Sequence, residues 1–146
     1  MPMKPEFSAR RGFTLVEIMI VVSIITIMAV IAIPGFIRAR ANANESSAIA
    51  SMRTISTACE SYRAMQNPST YPPDLVTLSS DNPPYIDSTL GSGTKQGYTF
   101  TYALVSANQY TCTAAPVTPN ITGVRVFFVD ESGVIRVDDA SGNPIE

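Results

Sequence analysis

Between Ile18 and Ile37 the chain carries about twenty consecutive residues without a charge, IMIVVSIITIMAVIAIPGFI. A run of that length and polarity spans a bilayer as a single helix, and a small domain has no interior large enough to hide it. Its first destination must therefore be lipid or other subunits. Ahead of it lies a cationic leader, MPMKPEFSARRG, with Lys4, Arg10 and Arg11 set against one acid, Glu6. That bias favours keeping the N-terminus in the cytoplasm and sending the C-terminal part across. Arg38 and Arg40, on the far side, make the bias imperfect.

Beyond the apolar run the periodicity stays helical. Ala41, Ala48, Met52, Ile55, Cys59 and Tyr62 recur at three- and four-residue intervals, with Arg53, Ser56, Glu60 and Arg63 on the other side. This predicts one helix from about Phe13 to Met65, about 53 residues or roughly 80 Å at 1.5 Å per residue. Asn67-Pro68 ends it, because proline disfavours helical backbone in the residue before it and donates no ladder hydrogen bond. Residues 67–97, rich in proline and glycine, read as a loop with two apolar pieces, Leu75–Leu78 and Tyr85–Leu90, positioned to dock on the helix.

From Tyr98 the period becomes two, as Tyr98, Phe100, Tyr102 and Leu104 alternate with Thr99, Thr101 and Ala103. Further strands are predicted at Gln109–Ala115, Gly123–Val129 and Gly133–Val137, the last two joined by Asp130-Glu131-Ser132-Gly133, whose glycine suits a positive φ. The fold class is α+β: a long N-terminal helix whose second half packs on an antiparallel sheet of about four strands. The divisions are a leader (1–12), a membrane helix (13–37) and a globular domain (38–146). Within that domain lie the helix C-half (38–66), a loop (67–97), the sheet (98–137) and a tail (138–146).

Composition removes most other functions. Histidine is absent and there are two cysteines, so histidine-based triads, Cys-His dyads and the usual zinc spacings cannot be built. No carboxylate pair is singled out for glycosidase-type chemistry. The net charge of -2 gives no basic field for nucleic acid. The reading is a non-enzymatic chain without a cofactor.

The stretch Arg10-Arg11-Gly12-Phe13-Thr14-Leu15-Val16-Glu17, followed by the apolar run with Pro34 inside it, resembles the processing motif of type IV pilins and type II secretion pseudopilins. The resemblance implies cleavage after Gly12 by a prepilin peptidase in the inner membrane, then methylation of the new Phe13 amino group. Glycine at the last leader position lets a protease approach the backbone closely. Loss of the leader leaves 7 basic against 11 acidic residues, about -4.

Glu17 lies inside a membrane helix, where a carboxylate costs roughly 2.5 kcal/mol or more unless it finds a partner. The resemblance implies that this partner is the Phe13 amino group of another subunit; the plain alternative is a glutamate snorkelling at a helix N-terminus. Pro34 removes the hydrogen bond to the Val30 carbonyl and Gly35 weakens the same turn, so the helix is expected to kink or loosen there, although membrane helices also tolerate such pairs. Cys59, on the inward helix face, and Cys112, in a strand, are read either as a disulfide staple or as two small buried hydrophobes. Asp130, Asp138 and Asp139 offer oxygens to calcium, against the reading of solvated turns that guard sheet edges.

The resemblance implies a structural subunit that polymerises with its own kind, using the inner membrane and a pilus or secretion assembly machinery as partners. It begins as a single-pass bacterial inner-membrane protein and ends in an extracellular pilus, or in a periplasmic pseudopilus as the alternative. The weak calcium pattern and the cysteine pair tip the reading toward the pilus. A more distant alternative is an ordinary secreted domain cut at Ala41-Asn42-Ala43, which the length of the apolar run, Arg38 and Arg40 argue against.

Overall fold

The computed structural model describes residues 12–145. One helix, α1, runs Leu15–Met65 and passes through Pro34 without a break in assignment. The described chain falls into two units, divided between Phe36 and Ile37, two residues beyond that proline. The first consists of the apolar part of α1 and the residues that lead into it. Every large apolar side chain from Phe13 to Ile37 is exposed. The hydroxyls inside this stretch are satisfied locally: Ser23 donates to the Met19 carbonyl at 2.7 Å and Thr26 to that of Val22 at 2.8 Å. These two hydroxyls therefore make no demand on water.

The second unit is built on the rest of α1. Ala41, Ala48, Met52, Ile55, Ala58 and Cys59 are buried along one stripe, as the three-and-four spacing requires. Against the stripe lies a five-stranded antiparallel meander: β1 (Thr94–Lys95), β2 (Tyr98–Ser106), β3 (Gln109–Pro116), β4 (Phe127–Asp130) and β5 (Arg136–Val137), each paired with its neighbour in sequence. The register aligns Phe100, Ala114 and Phe127 in one cross-strand row and Tyr102, Cys112 and Val129 in the next. These side chains belong to the same core, so alternation in sequence has become a single inner face.

The two apolar pieces of the connection are short helices, α2 (Leu75–Ser80) and α3 (Ser88–Gly91). Asp74 caps the first by accepting the Thr77 N–H and Asp87 the second by accepting the Leu90 N–H, both at 2.7 Å. Leu75, Leu78, Ile86 and Leu90 close the core.

The sheet differs from expectation at its edges. β1 forms within the stretch expected as loop, between Gly93 and Gly97, both at positive φ. The strand expected from Gly123 begins only at Phe127, because the Val124 and Arg125 amides are spent on a carboxylate of α1 rather than on a ladder partner. Gly133–Val137 contracts to Arg136–Val137. Gly133 does take positive φ, 71°, closing the turn with its N–H on the Asp130 carbonyl at 3.0 Å.

Candidate processing and assembly site

Gly12, Phe13 and Thr14 precede the first helical residue, so the Gly12–Phe13 peptide bond lies in exposed, non-helical backbone. A Cβ added at Gly12 would meet nothing within 4 Å. Packing among the described residues thus imposes no need for glycine there.

The helix then starts on a cap absent from the sequence reading. Thr14 Oγ1 accepts the Glu17 N–H at 3.2 Å, and the Thr14 carbonyl takes the Ile18 N–H at 3.3 Å. Thr14 is the N-cap and Glu17 the third helical residue, the T-x-x-E arrangement of a capping box. The signal was present in the sequence but was absorbed into the longer processing motif. The cap places the Glu17 carboxylate one turn from the Phe13 backbone, at the end of α1 where the helix dipole favours an anion. Glu17 is exposed and forms no ion pair among the described residues. Arg10 and Arg11 lie outside the described residues.

Further along α1 the second unit is fastened by two polar residues that periodicity did not place in the core. Asn44 donates from Nδ2 to the Thr122 carbonyl at 2.8 Å. Glu45, buried, accepts the Val124 N–H at 2.9 Å, the Arg125 N–H at 3.2 Å and Arg125 Nε at 2.8 Å. Burial pushes the Glu45 carboxyl up, but these donors together outweigh it and hold the group below its ordinary value. At the other end, Arg63 donates to Asn108 Oδ1 at 2.8 Å and to the Tyr71 hydroxyl at 3.2 Å, while Tyr71 donates to Glu60 at 2.6 Å.

Cys59 and Cys112 both enter the core as free thiols, so of the two readings the structure carries the buried pair and not the staple. Burial pushes each thiol up to about 12, which suppresses the thiolate that sulfur chemistry requires. The candidate calcium ligands do not converge. Asp130 pairs with Arg136 at 3.2 Å and accepts the Ser132 N–H, while Asp139 accepts from Ser141. Asp138 sits at φ 71° in the next turn, and no metal-competent cluster occurs among the described residues.

The described chain thus combines a capped, exposed apolar helix, entered through non-helical backbone at Gly12, with a small α+β unit built on the later part of the same helix. Residues 7–33 match the model of the prokaryotic N-terminal methylation motif. Over 52 residues the chain is 50% identical to the type IV major pilin protein PilA of Myxococcus xanthus (strain DK1622), a match covering 36% of this chain and 24% of that relative. The N-terminal segment is therefore similar to that of a type IV major pilin, and the chain spans about a quarter of the length of the curated relative it matches. No solved structure matches the chain.

Proposed function

We propose that the protein is a structural subunit of a type IV pilus. It is inserted in the inner membrane, cleaved between Gly12 and Phe13, methylated on the Phe13 amine, and polymerised through the apolar half of α1. The observation that carries this reading is the juxtaposition of an exposed Gly12–Phe13 bond, a Thr14-capped helix start and Glu17 at the head of an unburied apolar helix.

The chemistry follows from those positions. Cleavage creates an amine at Phe13, four residues before the Glu17 carboxylate. A free amine and an unpaired carboxylate in an apolar environment each stabilise the other if they meet across subunits, which sets axial register as it removes charge from the core. Packing of the exposed apolar side chains among neighbouring helices then supplies the bulk of the association. The processing peptidase, which would also carry the methylation, and the assembly machinery are the partners this route requires.

Intact mass of the chain recovered from sheared surface material and from membranes tests the proposal. A mass beginning at Phe13 with one added methyl, enriched in the sheared fraction, is expected. The same mass confined to the envelope would instead indicate a pseudopilus subunit. A chain beginning at Asn44 and free in the medium would refute both.

A further inference from the structure

An asparagine followed two residues later by serine or threonine, with no proline between, is the acceptor pattern for an N-linked sugar. The chain writes it as Asn44-Glu45-Ser46 and again as Asn120-Ile121-Thr122, while Asn67-Pro68-Ser69 has the excluded proline. Both acceptor patterns lie in the second unit, and its fold treats them in opposite ways.

Asn44 is helical and 8% exposed, and its Nδ2, the atom a sugar would have to join, donates to the Thr122 carbonyl at 2.8 Å. A nitrogen enclosed and spent in this way meets no sugar. Asn120 is the reverse: it is exposed, sits in a turn outside every named helix and strand at φ 64°, and its side chain makes no hydrogen bond among the described residues. The backbone beneath it is fixed. Asn120 gives its N–H to the Gly123 carbonyl at 2.8 Å and Thr122 its N–H to the Thr118 carbonyl at 2.9 Å, while Glu45 holds the Val124 and Arg125 amides that follow. Thr122 Oγ1 accepts the Thr118 N–H at 3.0 Å and donates to the Thr118 carbonyl at 3.1 Å. That leaves the hydroxyl a second lone pair for a transferase to engage.

The surroundings supply a second observation. Residues 116–124, PVTPNITGV, carry no charge, and Val117, Ile121 and Val124 are 59%, 56% and 64% exposed. Exposed aliphatic side chains are ordinary singly, but three in one short, fixed loop leave apolar surface that no described residue covers. A pyranose ring, apolar on its C–H faces and polar at its rim, shields such a surface and stays wet.

We propose that Asn120 is an N-glycosylation site. In the transfer, Asn120 Nδ2 forms a bond to the anomeric carbon of a sugar activated as a phosphate or pyrophosphate ester. The bond from that carbon to the phosphate oxygen breaks, and the phosphate leaves with the electron pair. The amide gives up one of its two protons to a base of the transferase, and nothing is oxidised or reduced. The site goes beyond the pilus reading and does not depend on it, because the turn alone sets the acceptor.

Trypsin cutting after Lys95 and Arg125 isolates Asn120 in residues 96–125, and cutting after Arg40 and Arg53 isolates Asn44 in residues 41–53. The full chain is purified from the cells that make it, and both peptides are sequenced by electron-transfer mass spectrometry. Residues 96–125 should carry a mass shift of whole sugar residues, placed on Asn120, and residues 41–53 none. The shift should vanish in N120Q and in T122A and persist in T122S, which keeps the hydroxyl. Residues 96–125 without a shift in the wild type overturn the proposal, whatever the state of the filament. A sugar on the Thr118 or Thr122 oxygen, or a shift that survives T122A, overturns the assignment to this acceptor pattern. A sugar on Asn44 overturns the selection by burial.

Discussion

On the proposed function Gly12 governs cleavage and Glu17 governs assembly, and the two roles can be tested separately. Gly12→Leu adds bulk where a processing enzyme must approach the backbone but where the chain itself has open space. It should leave uncleaved precursor in the membrane with its fold intact, read as unprocessed mass. Glu17→Ala removes the carboxylate but keeps the Thr14 cap, so insertion and cleavage should proceed while filament yield collapses; normal yield would contradict the pairing role. Cys59 and Cys112 give a third residue-scale expectation. With both thiols buried and pushed up to about 12, iodoacetamide at pH 8 should label neither in the native chain and both after unfolding, with no mass change on reduction. Which of the two cysteine readings holds could not be taken from spacing, because helix periodicity and strand alternation each place one thiol inward without setting their separation.

Among the elements, α1 and the β3–β4 connection are coupled through Glu45. Its carboxylate replaces a strand partner for two backbone amides and also holds Arg125, whose guanidinium stacks 5.5 Å from the Phe127 ring. Glu45→Ala should cost about 2 kcal/mol of unfolding free energy, the scale of hydrogen bonds to a charged group, and should speed amide exchange at Val124 and Arg125. Because the folded carboxyl titrates below its ordinary value of 4.5, its contribution is present above that pH and is lost as pH falls further, through the folded value. Denaturant melts of the wild type should therefore converge on those of Glu45→Gln in that acid range. Equal differences at pH 7 and pH 3 would contradict this. Asn44 and Glu45 were not legible as core residues because polar side chains on an apolar stripe look like its solvated margin. Only the loop that arrives from residues 122–125, nearly eighty positions away, supplies their partners.

For the whole molecule, the core of the second unit lies wholly beyond Ile37, and among the described residues no large apolar side chain before Phe36 is buried. A chain comprising residues 37–146 should consequently fold and stay monomeric in buffer without detergent, with amide exchange in β2 and β3 as slow as in the full chain. Aggregation or loss of that protection would mean that the apolar half of α1 contributes to the domain's stability. The sequence by itself determined the long helix, its apolar half, the processing motif and the alternating strands β2 and β3, because each is written in local periodicity or in contiguous residues. Tertiary structure alone decided the short edge strands, the free state of the two thiols, the dispersal of Asp130, Asp138 and Asp139, and the Glu45 clamp. These depend on which distant backbone groups and side chains meet, and residues far apart in sequence compete for the same partners only once the chain has closed on itself.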